Sequence, residues 1–387
     1  MNSEQQRPHR ASMNEVAHRA GVSHQTVSRV INNSPNVSAA TRERVETIIR
    51  ELNYRPSNSA RALVTRHTKT IGFIAGGVNY YGPISTMGAI ESVARDHGFY
   101  LSVAILDERE YTRQAFEEVA DSFLDQGVEA FVFLAPTLPM VEAALSANIA
   151  QPRVILTSAA HPALEPDRQI RLIGIDQVSA ARNVIDYLSD LGHRECLFFS
   201  GPQDWGDAAR RLEAWQERSR QLGWTSKTVH MKSWDASEAY EKAVAMLGNM
   251  KSDDLPTAVV TSNDLQAFGV CKALHEAGVR VPEQVSVVGF DDVPGSDFHT
   301  PSLTTVRPDF DALGRTAMQE LLGMLGIDDS ERDGDSVSGG DSVRAGVLGG
   351  EGAGLEREAA SDGEAASDGL VSASLIVRES SAAPRTR

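Results

Sequence analysis

One stretch near the N-terminus carries side chains suited to reading DNA. In residues 12–35, SMNEVAHRAGVSHQTVSRVINNSP, a helix that begins at His24 turns His24, Gln25, Ser28 and Arg29 outward. A Gln amide pairs two edge atoms of adenine, and an Arg guanidinium pairs two acceptors of guanine. A histidine reads bases differently in its neutral and charged forms, which leaves the contact of His24 the least defined of the set. Farther along, polar and aromatic residues follow one apolar run after another. These are Asn79, Tyr80 and Tyr81; Trp205 with Arg210 and Arg211; Trp234 and Asp235; Asn263 and Asp264; Asp291 and Asp292. Flat rings stack on the C–H faces of a sugar, while amide, carboxylate and guanidinium groups pair its hydroxyls. Each set has a structural alternative: an ordinary polar helix face for the first, and helix caps, turns or core for the second.

Residues for catalysis do not assemble. No Gly-x-Gly-x-x-Gly follows the first strand, and neither a Walker sequence nor a Gly-x-Ser-x-Gly elbow occurs. The ten histidines are scattered, with no His-x-x-x-His pair. Composition leaves carboxylate pairs for glycoside hydrolysis open, but no pair stands out. Cys196 and Cys271 sit singly in apolar runs, which reads as two small buried thiols with neither a metal nor a disulfide. The expectation is a protein that is no enzyme and has no cofactor.

Three short helices must position the first set. Ser12 caps a helix with Val16, Ala17 and Ala20 inward, and Gly21 stops it. Ser23 caps a second helix, residues 24–31, whose Val27, Val30 and Ile31 turn back onto the first. Two helices crossing after a Gly-containing turn make a helix-turn-helix, which lays its second helix in a major groove. Ser38 caps a third, residues 39–52, with Val45, Ile48, Ile49 and Leu52 apolar. Arg42 and Arg44 near its start oppose the helix dipole but suit phosphate contact. Residues 57–64, SNSARALV, allow two turns of helix, too short to hold alone in water. A plain linker fits that stretch equally well.

From Lys69 the pattern becomes strands alternating with helices. Strands are expected at 70–75, 101–106, 130–135, 153–157, 172–175, 196–200, 229–231, 258–261, 285–290 and 302–306. Helices are expected at 83–97, 112–126, 139–147, 178–191, 207–222, 236–249, 265–277 and 310–326. Such alternation argues for parallel sheets flanked by helices, in two lobes, with ligands beyond the carboxyl ends of the strands. Residues 371–377 alternate as a last strand, expected to add to the second lobe. Between lie residues 327–369, with twelve acids against three Arg and few apolar groups, expected to be a disordered acidic insertion. The domains so read are a disordered tail, 1–11; a helix-turn-helix head, 12–56; a hinge helix and linker, 57–68; and a two-lobed core, 69–326 with 370–380.

The chain has 387 residues and a net charge of −16. Residues 1–68 hold ten Arg against five Glu, with no Lys or Asp, a local +5 that leaves −21 on the rest. A basic head can neutralise phosphates, while an acidic body discourages indiscriminate binding along the duplex. The polar start, MNSEQQRPHR, lacks a signal-peptide core, and no apolar run is long enough for a bilayer, so a cytoplasmic protein is expected.

The sequence resembles the LacI/GalR family of bacterial transcription regulators over about residues 12–326 and 370–380. The matching residues are Glu15-Val16-Ala17 through Gly21-Val22-Ser23, Thr26-Val27-Ser28-Arg29-Val30-Ile31-Asn32, Leu52-Asn53-Tyr54-Arg55-Pro56, Ser262-Asn263-Asp264, and Val287-Val288-Gly289-Phe290-Asp291-Asp292. The resemblance implies a helix-turn-helix head, a hinge helix and a two-lobed core like that of periplasmic binding proteins. It implies a homodimer on a pseudo-palindromic operator in double-stranded DNA, with no membrane partner. His24, Gln25 and Arg29 match base-reading positions, and Thr26, Ser28, Asn32 and Tyr54 complete the implied DNA face. Ala60 and Leu63 match the hinge helix, with Leu63 as a wedge between central base steps.

The same resemblance places Arg211, Trp234, Asn263 and Asp291 at effector positions, beside Tyr80 and Tyr81. Trp234 matches the position that stacks on a galactoside-type sugar in one family member. Thr157 stands where that member has an Asp, and Tyr80 and Tyr81 replace an aliphatic residue and a His, which points to a different saccharide. No terminal leucine-heptad helix follows, which implies a dimer and no tetramer. The function expected is a repressor of sugar-utilisation genes released by a saccharide. The alternative is a sugar-binding transport or chemoreceptor protein of the same core fold.

Overall fold

A computed structural model describes residues 11–54, 67–77, 79–106, 112–158, 169–250, 255–327 and 369–385. The expected tail, most of the hinge segment with Ala60 and Leu63, and nearly all of the acidic insertion lie outside the described residues. The chain divides into two compact units, Met1–Thr68 and Lys69–Arg387.

The head consists of α1 (Met13–Ala20), α2 (His24–Ile31) and α3 (Ala39–Glu51). Ser12, Ser23 and Ser38 cap them, each hydroxyl accepting from the N–H three residues on, at 3.2, 3.2 and 3.3 Å. Gly21 ends α1 at φ +64°, a conformation that favours glycine. Val16, Ala17, Ala20, Val27, Val30, Val45 and Tyr54 form the core. Arg42 departs from expectation. Its guanidinium donates to Asn33 Oδ1 at 2.8 Å, to the Ser34 carbonyl at 2.7 Å and to the Val30 carbonyl at 3.4 Å. It therefore clamps the turn between α2 and α3, where Asn33 takes φ +53°. Arg44, the other expected phosphate contact, is exposed.

The second unit holds two six-stranded sheets. The first comprises β1 (Thr70–Ala75), β2 (Tyr100–Ile105), β3 (Ala130–Leu134), β4 (Arg153–Leu156), β5 (Ile170–Ile175) and β11 (Leu370–Val371), in the order β11-β5-β4-β3-β1-β2. The second comprises β6 (Glu195–Phe199), β7 (Thr225–Val229), β8 (Ala258–Thr261), β9 (Ser286–Phe290), β10 (Thr304–Pro308) and β12 (Ala373–Ile376), in the order β12-β10-β9-β8-β6-β7. All pairings are parallel except β10 with β12. The helices are α4 (Tyr81–Asp96), α5 (Arg113–Asp125), α6 (Leu138–Ser146), α7 (Gln177–Asp190), α8 (Gly206–Gln221), α9 (Ala236–Leu247), α10 (Asp264–Glu276) and α11 (Phe310–Met324). Near-continuous buried runs such as Ala130–Leu134 and Ser286–Phe290 fit sheets covered on both faces.

Two strands differ from the sequence reading. The second lobe's edge strand is Thr225–Val229, not 229–231. As an edge strand it pairs on one side only and stays partly exposed, so it carries little apolar signal. The last strand is also divided. Leu370–Val371 pairs parallel with β5 in the first sheet, and Ala373–Ile376 pairs antiparallel with β10 in the second. Alternation along a strand marks its two faces but not the sheet edge that receives it.

Ser372 is thus one of three crossings between the lobes; the others are Asp176 and Asp309. Asp176 caps α7 through Ser179 N–H at 2.9 Å, and Asp309 caps α11 through Ala312 N–H at 2.7 Å. Their backbones nearly coincide, at φ −73°, ψ 82° and φ −84°, ψ 81°. Helix α11 leaves a second-sheet strand but buries Leu313, Ala317, Met318, Leu321 and Leu322 with Ile71, Phe73 and Ile90 of the first lobe. Cys196 and Cys271 are buried, and burial pushes both thiols up to about 12. Among the described residues no helix is long and apolar enough to cross a membrane.

Two glycines of α11 give a paired test. A Cβ on Gly314 would lie 2.6 Å from Ala89 Cβ and 2.9 Å from the Ala89 carbonyl carbon, whereas one on Gly323 meets nothing within 4 Å. We predict that Gly314→Ala destabilises the core by about 1–3 kcal/mol through overpacking. Gly323→Ala is expected to stabilise it by about 0.5–1 kcal/mol through helix propensity. Urea midpoints check both, and equal shifts would contradict the close α4–α11 contact.

Candidate functional site

On the head, His24, Gln25, Arg29 and Asn32 are exposed, and Thr26 and Ser28 are half-buried. Thr26 Oγ1 lies 2.9 Å from Ser23 Oγ, within the α2 cap, and Asn32 Nδ2 donates to Ser28 Oγ at 3.4 Å. Burial of Val27 and Val30 on the opposite face forces His24, Gln25 and Arg29 outward. Tyr54 is 8% exposed and closes the head core, since the chain after α3 turns back onto Val16 and Val45.

In the second unit the residues after the strands converge on a cleft with two adjoining compartments, of about 560 and 450 Å³ open volume. The first reaches toward the crossings and is lined by Thr157, Ser158, Gln177 and Phe310. The second is lined by Tyr80, Tyr81, Trp234 and Asn263. Trp205, Asp207, Arg211 and Asp291 line both. All six expected effector residues therefore border one cavity system.

Arg211 is its centre, at 5% exposure. Its Nε donates to Gln177 Oε1 at 2.7 Å, Nη1 donates to the Ser262 carbonyl, and the guanidinium lies 3.4 Å over the Phe290 ring. Burial lowers its pKa against the pull of Asp291, Asp207 and Asp264, yet a guanidinium stays charged in a protein. Asp291 holds φ +104°, a conformation L side chains rarely adopt. Burial pushes its carboxyl up to about 8; Arg211 pulls the other way, and Asp264 and Asp207 add to the rise. Asn263 caps α10 by accepting from Gln266 N–H at 2.8 Å and donates to the Trp234 carbonyl at 3.1 Å, so one amide fixes two cleft walls.

The aromatic wall is interlocked. Tyr80 meets Trp205 edge to face at 5.2 Å, Trp205 meets Trp234 at 5.5 Å, and Tyr81 meets Phe310 at 5.9 Å. Trp205 also reaches across the cleft. A Cβ on Gly77 would lie 2.4 Å from its ring, and Gly206 N–H donates to the Pro136 carbonyl at 2.8 Å.

Other post-strand residues do structural work. Asp264 is fully buried and accepts from Thr305 Oγ1 at 2.5 Å, Ser296 Oγ at 2.7 Å and Val293 N–H at 2.9 Å. Burial still raises its carboxyl to about 6. Asp292 pairs with Arg307 at 2.6 Å and Arg378 at 2.7 Å. Arg210 turns away to Glu213, and Asp235 is exposed.

Asp207, Gln177 and Phe310 were not read as effector residues. Asp207 stands four residues before Arg211, one helical turn, and that spacing was the available signal. Gln177 falls two residues after β5, where a post-strand rule would look. Phe310 comes from the helix that returns to the first lobe, which no local pattern marks.

A helix-turn-helix and a two-lobed ligand-binding core in one chain define a DNA-binding transcription regulator, and comparison with known proteins agrees. The model for bacterial regulatory proteins of the lacI family matches residues 12–57, and that for a periplasmic binding protein-like domain matches residues 185–340. The lactose operon repressor of Escherichia coli (strain K12) is 30% identical over 308 residues, 80% of this chain and 83% of that one. The transcriptional repressor CytR of the same strain is 28% identical over 318 residues, 81% and 90% of the two chains. Among solved structures, the lac repressor dimer bound to operator and the anti-inducer ONPF superposes with a TM-score of 0.76 at 25% identity, covering 97% of this chain and 100% of that one. The chain belongs to the lacI family of bacterial regulatory proteins. It is a transcription regulator and not an enzyme, and the DNA-binding head sets aside the transport or chemoreceptor alternative.

The raised carboxyl of Asp291 has a consequence for stability. The folded chain keeps that proton between about pH 4 and pH 8, where the unfolded chain has released it. Stability from this group is therefore full below about pH 4 and is lost as pH rises through about 8. Asp291→Asn is predicted to flatten the decline above pH 6, leaving the part due to Asp264 below it. Urea midpoints across pH 4–9 check this; an unchanged slope in the variant would refute it.

Proposed function

We propose that this protein is a saccharide-responsive repressor that binds a pseudo-palindromic operator as a homodimer and leaves it when a sugar enters the cleft. The observation that carries the reading is the convergence of Arg211 from α8, Asn263 from the cap of α10, and Trp234 and Asp291 from two loops on one aromatic-walled cavity. Rings for C–H faces and an amide, a carboxyl and a guanidinium for hydroxyls are what a sugar requires. The similar lactose operon repressor supports a sugar effector. On the head, His24, Gln25 and Arg29 read base edges, and Thr26, Ser28 and Asn32 support contacts beside them. Tyr54 serves by holding the core. Ala60 and Leu63 act in the hinge segment, Leu63 as the wedge that opens a central base step. The protein works in the cytoplasm, on the nucleoid.

Effector closing the two lobes about the crossings at Asp176, Asp309 and Ser372 changes their orientation in the dimer and weakens the paired hinge segments on DNA. A coupling of about 1–3 kcal/mol suffices for a 5–150-fold loss of operator affinity. The test is a gel shift on an operator selected from random DNA, with and without a panel of neutral sugars. Release by at least one sugar is expected, and tighter binding with sugar would overturn the inducer reading. Arg29→Ala is expected to weaken operator binding by about 1–3 kcal/mol while changing binding to random DNA far less. Equal loss on both would show that Arg29 contacts phosphate and not a base.

A further inference from the structure

Asp207 lies in the first turn of α8 and borders both cleft compartments. Of the neighbouring acids, Asp264 is committed to Thr305, Ser296 and Val293 and Asp292 to Arg307 and Arg378, while Asp291 borders both compartments with a carboxyl that burial keeps protonated up to about pH 8. Among the described residues the Asp207 carboxylate has neither a hydrogen bond nor an ion pair. An ionised carboxylate only accepts, so its ligand must bring donors. Trp234 supplies the complement. It is 5% exposed, lines the same cavity, and its indole N–H is buried without a partner among the described residues. That N–H needs an acceptor. A molecule that offers several donors and acceptors at once carries hydroxyls.

The cleft is also poorly equipped for an anion. Among the described residues Arg211 is the one cation lining either compartment, and its Nε, Nη1 and one ring face are taken by Gln177, Ser262 and Phe290. Helix N-termini ordinarily supply N–H groups and positive potential to a phosphate. Here α8 carries Asp207 in its first turn and α10 carries Asp264, and both acids counter that potential. The remaining helix at the second compartment, α4, has Pro83 in its first turn and lacks one of its N–H donors.

We infer that Asp207 is a specificity-determining residue that restricts the effector to uncharged, hydroxyl-rich sugars and turns away phosphorylated or carboxylated ones. The inference rests on the saccharide reading of the cleft and goes beyond it to the charge of the ligand. Asp207 accepts hydroxyl hydrogens from the bound sugar at the junction of the two compartments. A phosphate or carboxylate brought there meets a like charge, with no second cation among the described residues to offset it.

The test titrates the full-length protein, followed by tryptophan fluorescence, with glucose, galactose, lactose and cellobiose, and with glucose 6-phosphate, galactose 6-phosphate, glucuronate and galacturonate. At least one neutral sugar is expected to bind about 10-fold or more tightly than its charged counterparts. Asp207→Asn is expected to weaken that neutral sugar about 10-fold, because an ionised acceptor is lost, and to narrow the gap to the charged sugars. Asp207→Ser takes its place if circular dichroism shows the Asn variant misfolded. Equal binding of neutral and charged sugars by the parent protein overturns the inference, as does full discrimination retained without the carboxylate. Failure of every sugar to bind instead overturns the saccharide reading, and this inference with it.

Discussion

A buried guanidinium governs the cleft. Arg211 sits at 5% exposure, where an uncompensated cation costs several kcal/mol. The cost is met from many directions: an amide oxygen from Gln177, a carbonyl from Ser262, the ring of Phe290 and the negative charge of Asp207. Those partners lie at the ends of β5, β8 and β9 and on the first turn of α8. Satisfying one side chain therefore fixes several post-strand segments against each other. The ligand site is what this arrangement leaves open.

The path of the chain makes the site responsive. Two sheets, each with its own helices, are joined by three crossings, and two of these are Asp residues capping the helix that follows. Side-chain caps hold the helix starts while only a few backbone torsions join the lobes, which is the form of a hinge. Gln177, the partner of Arg211, directly follows the crossing at Asp176. On the far side of the cavity Trp205 rests against Gly77, and Gly206 bonds Pro136. The cleft is thus tied at the hinge through Arg211 and at the opposite wall through Trp205, and a ligand between them contacts both ties.

The head applies the same economy to its own polar groups. Arg42 looks like a phosphate contact by charge and position, yet it is consumed in holding the turn after α2. That turn fixes the exit of the helix bearing Gln25 and Arg29. A basic head on an acidic body then gives attraction to phosphate at one end only.

Capping serines, the Gly21 stop and the buried runs of the parallel sheets were legible because each is a local matter of backbone hydrogen bonding or side-chain period. That Tyr80, Tyr81, Arg211, Trp234, Asn263 and Asp291 line one cavity was legible as a group, since strand ends in α/β sheets point at one crevice. Period does not reveal which of two sheets receives a strand, so the division at Ser372 and the return of α11 to the first lobe needed the tertiary structure. Residue type alone could not separate Asp291, in the cavity wall, from Asp264 and Asp292, which brace the β9–β10 loop. Nor could it distinguish Arg42 the clamp from the exposed Arg29, or lift Asp207 above the other acids. The sequence by itself determined the elements, their order and the family of regulators. Only the tertiary structure decided which charged groups are already partnered, because a partner contributed by a distant segment leaves no trace in local spacing.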